Sequence, residues 1–291
     1  MDTPAPIFGE LDPPLDDYAR AAAVVLPVPF ERTTSYGQGT AHGPRAILEA
    51  SQYVELYDEE LDAEPSDHGI ATLPACDPSD GDLATALGVI EAEARRHLEA
   101  GKFLVTLGGE HSLTLAPVRA ARALAPDLGV VQFDAHADLR DTYEGSPYSH
   151  ASVMHRLLDL DIPSLAVGIR SLSSPEAALI REHDIPVIWG HQLDEAEARF
   201  DALLDRLPHT VYLTFDLDFF DPSLLPATGT PEPGGGFWNP TQRLLRRLFE
   251  RKRVLAMDVV ELAPIAGQYA SDFIAAKLVY KCIGYHTLTL D

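Results

Sequence analysis

Six residues have the types and spacing that suit metal ligation. The run Val130–Phe133 leads into Asp134-Ala-His136-Ala-Asp138. The run Phe103–Leu107 leads through Gly-Gly-Glu into His111, and Val211–Phe215 leads into Asp216-Leu-Asp218, with Asp221-Pro222 close behind. In extended backbone, residues i, i+2 and i+4 share a face. The spacing therefore predicts that Asp134, His136 and Asp138 point together, as do Asp216 and Asp218, with Ala135 and Ala137 leaving room on the other side. Four aspartates converging at one sheet edge repel one another unless cations neutralise them, and two divalent ions carry the matching charge. Six protein ligands suit two metals that share a bridging carboxylate or hydroxide. A donor set of mostly oxygen with some imidazole favours manganese over zinc, and magnesium fits less well because of the histidines. Taken singly, each pattern also fits a polar turn ahead of a helix. Taken together, each at the end of an apolar run, they point to a dinuclear site.

Such motifs need rigid elements to hold them. Candidate strands are Ala22–Val28, Phe103–Leu107, Val130–Phe133, Leu165–Ile169, Pro186–Trp189, Val211–Phe215 and Val254–Val260. Candidate helices are Pro44–Tyr57, Leu83–Ala100, Leu113–Leu124, Ala151–Leu160, Pro175–Glu182, Glu195–Leu207, Pro240–Glu250 and Ser271–Gly284. Asn239-Pro240 reads as an N-cap followed by proline at the first helical position. Strands separated by helical patterns imply βαβ units and a mostly parallel sheet. Near-continuous hydrophobicity in the strands implies that both faces are covered. In such sheets ligands bind beyond the carboxyl ends of the strands, where the three motifs fall. No linker divides the chain, so residues 1–291 read as one α/β domain.

Composition narrows the partners. The 291 residues carry 45 acids against 22 lysines and arginines, a net charge of −23. Nucleic acid and anionic membranes need clustered positive charge, so both are excluded as partners. Glu55 to Asp67 holds seven acids and no base, whereas Arg243, Arg246, Arg247, Arg251, Lys252 and Arg253 form a basic run. Both read as solvated faces or subunit contacts. The cysteines, Cys76 and Cys282, are too few for a disulfide framework or a cysteine zinc site. MDTPAPIFGE has no basic n-region or apolar core, and no apolar run approaches the roughly 18 residues of a membrane span, so a cytoplasmic protein is expected.

The motifs together resemble the signatures of the ureohydrolase family, which contains the arginases and agmatinases. Those motifs are Gly-Gly-Glu-His111-Ser, Asp134-Ala-His136-Ala-Asp138 and Thr214-Phe-Asp216-Leu-Asp218-Phe-Phe-Asp221-Pro222. The resemblance also takes in Ser35 to Arg45 and Met257-Asp258-Val-Val-Glu261-Leu-Ala-Pro264, nearly the whole chain. It implies an arginase-like three-layer α/β/α sandwich with a mostly parallel central sheet, two Mn2+ per chain, and a homo-oligomer, trimer or hexamer. It assigns His111, Asp134, His136, Asp138, Asp216 and Asp218 as metal ligands, and Glu261 as the carboxylate that grips a guanidinium. A carboxylate suits that task because it accepts two parallel N–H bonds. His150 matches the family's mobile proton shuttle. The implied reaction is attack on the guanidinium carbon by a metal-bridging hydroxide, with Asp138 passing the proton to the departing amine.

The resemblance implies a small cationic guanidino substrate. Arginases carry Thr, Ser and Asn between the second motif and the shuttle histidine, and an aspartate at the position matching Ser173. This chain has Leu139 to Ser149 with two acids there, and its Thr228-Gly-Thr230-Pro-Glu232 segment resembles the agmatinase version. A cationic tail without a carboxylate fits better, so agmatine, cleaved to putrescine and urea, is the expected substrate. Asp141, Glu144 and Glu232 are candidates for the distal ammonium. The alternatives are N1-aminopropylagmatine giving spermidine, then guanidinobutyrate or arginine, or a non-catalytic polyamine-binding relative.

Overall fold

In the computed structural model, which describes residues 6–78 and 80–290, eight strands form one all-parallel sheet. They are β1 (Ala23–Val28), β2 (Ile70–Thr72), β3 (Phe103–Gly108), β4 (Gly129–Phe133), β5 (Ser164–Ile169), β6 (Val187–Trp189), β7 (Thr210–Asp216) and β8 (Arg253–Val260). Their order across the sheet is β2-β1-β3-β8-β7-β4-β5-β6. The helices are α1 (Gly43–Ser51), α2 (Leu83–Glu99), α3 (Leu115–Leu124), α4 (Val153–Leu158), α5 (Ser174–Glu182), α6 (Ala196–Leu204), α7 (Trp238–Arg251) and α8 (Ala270–Thr287).

The apolar residues of each strand alternate between two cores. Val105 and Leu107 of β3 pack with Ile47 of α1, Phe200 of α6, Leu245 of α7 and Val279 of α8. Leu104 faces the other way, among Ile90 of α2, Val118 of α3, Met154 of α4 and Ile180 of α5. Two helical layers thus cover both faces of the sheet, which is why its strands are apolar on both sides. The order also sets the position of the site. The chain visits β3, β8, β7 and β4 at widely separated times, yet they lie side by side, so four central strands open their carboxyl ends at one place.

Several boundaries differ from the sequence expectation for local reasons. Strand β2 is three residues long, too short to leave a periodic signal. Helix α1 stops at Ser51, short of Tyr57. The Ser51 hydroxyl donates to the Leu48 carbonyl and accepts from the Gly9 N–H, so side-chain bonds compete with further helical turns there. Asn239 is not an N-cap: α7 begins at Trp238, with Phe237 as the flanking residue. The first turn's N–H groups need no helical partner, so Pro240 is tolerated inside that turn.

The basic run is a partly exposed face whose arginines carry acidic partners. Arg243, Arg247 and Arg251 of α7 pair with Glu197, Asp201 and Asp205 of or beside α6 at 2.6, 3.0 and 2.6 Å, and Arg246 reaches Glu60 of the acidic segment at 2.9 Å. Both cysteines are free thiols. Among the described residues, no helix is long and apolar enough to cross a membrane.

Candidate metal centre

Each of the four central strands ends by delivering acidic or imidazole side chains. After β3 the chain turns through Gly108 and Gly109 into His111. A Cβ on Gly109 would lie 2.0 Å from the Phe30 carbonyl oxygen, so only glycine lets the turn pass under that segment. After β4 come Asp134, His136 and Asp138. This stretch is not extended strand: β4 ends at Phe133, and Asp138 has φ 51°. The side chains converge because of the loop's own bonds, not through the alternation expected of a strand. The His136 N–H donates to Asp134 Oδ1 at 2.6 Å and the Ala135 N–H to Asp218 Oδ1 at 3.1 Å. Strand β7 ends at Asp216, whose Oδ1 accepts the Asp218 N–H at 2.9 Å. Beyond β8 lies Glu261, with φ 67°; non-glycine residues in this region are concentrated at functional sites.

The geometry forms two overlapping ligand groups. His111 Nδ1 lies 3.2 Å from Asp134 Oδ2, 2.9 Å from Asp138 Oδ2 and 3.4 Å from Asp216 Oδ2. His136 Nδ1 lies 3.7 Å from Asp134 Oδ1 and 2.8 Å from Asp218 Oδ2. Asp134 faces one histidine with each oxygen, as a bridging carboxylate would. His111, Asp134 and Asp216 could hold one ion, and Asp134, His136 and Asp218 a second. The fit to metal shows at an orphaned atom: His111 Nδ1 is fully buried and makes no hydrogen bond despite its three carboxylate neighbours. A cation between nitrogen and oxygens satisfies all of them.

Electrostatics point the same way. Burial, then the charges of Asp218 and Asp134, push Asp216 well above the usual carboxylate range. Burial and Asp134 also raise Asp138. Burial opposes charge on Asp134 too, but hydrogen bonds from His111 and His136 overcome it and lower that group. The acids cannot all ionise side by side in this setting without added positive charge. Glu261, whose Oε1 accepts the His111 N–H at 2.7 Å, is raised to about 8, chiefly by burial.

Supporting residues lie inside the strands. Gln132 Nε2 donates to Asp134 Oδ2 at 2.8 Å and to the His136 carbonyl at 3.1 Å. His111 Nε2 lies 2.9 Å from Thr214 Oγ1, which donates to Asp258 Oδ1 at 2.7 Å; Tyr212 donates to Asp258 Oδ2 at 2.8 Å. Such partners orient a ligating imidazole.

A cavity of about 320 Å³ opens over this cluster. Glu261, His150, Tyr143, Tyr36, Thr230 and Glu232 line it. Its rims touch where Gly37 donates to the Gly229 carbonyl at 3.1 Å, and a Cβ on Gly37 would lie 2.7 Å from that oxygen. Arg170 donates to the carbonyls of both Asp218 and Glu232 at 2.7 and 2.8 Å, tying the ligand loop to the rim.

A model of the Arginase family matches residues 21–284. The chain belongs to the arginase family. It is 45% identical over 278 residues to an N(1)-aminopropylagmatine ureohydrolase of Synechocystis, covering 93% of this chain and 91% of that protein. An agmatinase of Pyrococcus horikoshii is 35% identical over 284 residues, covering 94% of this chain and 95% of that protein. The crystal structure of the agmatine ureohydrolase of Thermoplasma volcanium superimposes with a TM-score of 0.87 at 30% identity, over 99% of this chain and 96% of that one. The fold is thus the arginase-like α/β sandwich. As an arginase-family ureohydrolase the protein is a hydrolase of carbon–nitrogen bonds in linear amidines.

Within that family frame the structure brings together His111, Asp134, His136, Asp138, Asp216, Asp218, His150 and Glu261. It separates the three acids considered for the distal ammonium. Asp141 is exposed and paired with Arg156 at 2.8 Å, outside the cavity. Glu144 is exposed in a turn with φ 49° and does not line the cavity either. Contrary to the expectation for Asp141 and Glu144, the loop that carries them turns its acids outward. Glu232 alone of the three lines the cavity. Ser173 caps α5 in a capping box with Glu176.

Proposed function

We propose that the protein hydrolyses the guanidino group of a polyamine, N1-aminopropylagmatine to spermidine and urea, with agmatine to putrescine and urea as the second reading. One observation carries the proposal: five of the six ligand-type side chains line a single cavity with Glu261 and His150, and the sixth, Asp134, groups with them. Relatives bearing the aminopropylagmatine name match at 45% and 40% identity, compared with 35% for the agmatinase of Pyrococcus horikoshii. That difference supports the longer amine over the agmatine expected from the motifs. The Pyrococcus and Thermoplasma relatives keep agmatine as the alternative.

His111, Asp134, His136, Asp138, Asp216 and Asp218 would hold two divalent cations, and the oxygen-rich donor set favours manganese. When bound, such ions lower the pKa of a water to about 7 and stabilise negative charge in the transition state. The protein's own groups do the rest. Glu261, desolvated at the cavity wall, accepts the N–H bonds of the guanidinium and places its carbon over the ligand cluster. In the reaction a water oxygen bonds to that carbon and the bond to the amine nitrogen breaks. Both water protons end on the departing amine. Asp138 carries one of them across, and His150 exchanges the other with solvent. Glu232, which lines the cavity rim, would meet the ammonium groups of the tail.

The same reading takes residues 1–291 as one catalytic unit, working in the cytoplasm as a trimer or hexamer. Tyr53, Phe237 and Tyr269 are exposed aromatics that such an assembly would cover; light scattering on the purified protein gives its mass. The substrate is tested by kcat/KM for urea release from N1-aminopropylagmatine, agmatine, arginine and guanidinobutyrate with added manganese. The proposal expects that order. Arginine or guanidinobutyrate in first place, or no urea from any, overturns it.

A further inference from the structure

Glu110 stands between the glycine turn and His111 but points away from the ligand cluster. It is fully buried, and both its oxygens are used. Oε2 accepts the N–H groups of Arg32 and Thr33, each at 2.5 Å. Oε1 accepts the Thr33 hydroxyl at 2.7 Å and a short bond from the Ser112 hydroxyl. A buried carboxylate with four donors is a rigid anchor.

The Thr33 hydroxyl has one proton, and the bond to Glu110 takes it. Its remaining capacity is as an acceptor. It accepts the His150 N–H at 3.0 Å, and His150 Nδ1 lies 3.3 Å from the same oxygen. Ser149 Oγ is also 3.3 Å from Nδ1, and the Tyr143 ring meets the imidazole edge-on at 5.6 Å between centroids. The loop after β1, the turn after β3 and the start of the turn before α4 thus meet at one oxygen.

We propose that Thr33, anchored by Glu110, is a positioning residue for His150: it fixes the ring over the cavity with Nδ1 as hydrogen-bond donor and leaves Nε2 as the free acceptor. This rests on His150 being the proton carrier of the proposed reaction. Which nitrogen holds the proton decides whether the ring can take one up from the cavity side. A loose ring loses that role even when its pocket is intact.

The test is Thr33→Val, which keeps the volume and removes the oxygen, with Thr33→Ser as the conservative control. General acid–base groups contribute about 10²–10⁴-fold, so an expected loss of roughly tenfold in kcat represents partial misplacement of the ring. The KM for N1-aminopropylagmatine and the metal content stay at wild-type values, and Thr33→Ser recovers most of the rate. In a His150→Ala background, Thr33→Val has no further effect, because groups acting as a unit are not additive. In ¹⁵N NMR the His150 resonances, assigned by their absence in His150→Ala, show Nδ1–H in the wild type and a tautomer mixture in Thr33→Val. Losses that multiply in the double variant, or an unchanged tautomer, overturn the proposal while leaving the hydrolase reading intact. A wild type that releases no urea from any guanidino substrate overturns both.

Discussion

Two charge clusters with buried members stand out among the described residues, and they are built on opposite principles. On α8, Lys281 reaches Asp58 at 2.9 Å and Glu60 at 2.6 Å, while Arg246 reaches Glu60 at 2.9 Å and Tyr285 donates to it at 2.8 Å. Two acids meet two cations, and the chain supplies both signs. At the carboxyl ends of β3, β8, β7 and β4 the chain supplies four aspartates and Glu261, with two neutral-capable imidazoles and no lysine or arginine among the ligand groups. The first cluster is complete in itself. The second has the donor set to take cations from outside. Burial of charge alone is therefore not a mark of function; imbalance is.

Breaking each cluster should separate the two kinds. The largest effect is at the strand ends. Asp134→Asn removes the shared ligand and should lower urea release by at least roughly a thousandfold, from the several kcal/mol such ions contribute to the transition state. Bound metal also stabilises the folded state by mass action. A chelator should therefore lower the melting temperature of the wild type and leave that of Asp134→Asn unmoved; equal shifts in both would contradict the assignment.

The α8 cluster should respond in the reverse way. Lys281→Met leaves Asp58 and Glu60 without their amine and should cost about 3 kcal/mol of stability in urea unfolding. Its turnover per folded chain and its response to chelator should match the wild type. A variant with normal stability and poor turnover would show that this cluster serves the reaction after all.

A smaller effect follows from pH. Burial works against charge on Glu60, but the Lys281, Arg246 and Tyr285 hydrogen bonds hold its carboxyl down at about 2, below its ordinary 4.5. A lowered carboxyl contributes stability that is present above the unfolded value and is lost as pH falls through the folded one. The stability gap between wild type and Glu60→Gln should therefore be full at pH 6 and shrink between about 4.5 and about 2. A gap that widens with acid would reverse the sign of the argument.

The smallest expected effect concerns the rim. Glu232→Gln should raise KM for N1-aminopropylagmatine several-fold with kcat little changed, while Asp141→Asn should change neither. An effect of Asp141 equal to that of Glu232 would mean that the exposed loop folds over the substrate.

Much of this was legible in the sequence because parallel strands place chemistry at one end. Seven of eight strands and all eight helices coincide with apolar runs and periodic stretches, and the six ligand-type residues lie at or just beyond strand ends. What was not legible depended on contacts distant in sequence. Gln132, Thr214 and Asp258 stand out only as polar residues inside apolar strands; the hint was there, but their partners were not. Thr33 and Glu110 act through a carboxylate that bridges loops 77 residues apart. The outward turn of Asp141 and Glu144 depends on loop conformation and on Arg156, which no local pattern reveals. The salt-bridge ladder between α6 and α7 needed the packing of two helices before the basic run acquired partners.

On the proposed function, the strand-end cluster would be a dinuclear centre for guanidino hydrolysis. Titrating metal-free protein with Mn2+ while following urea release from N1-aminopropylagmatine tests it most directly. No urea without metal and a rate that saturates at two ions per chain are expected. Saturation at one ion, or urea released by the metal-free protein, would contradict it.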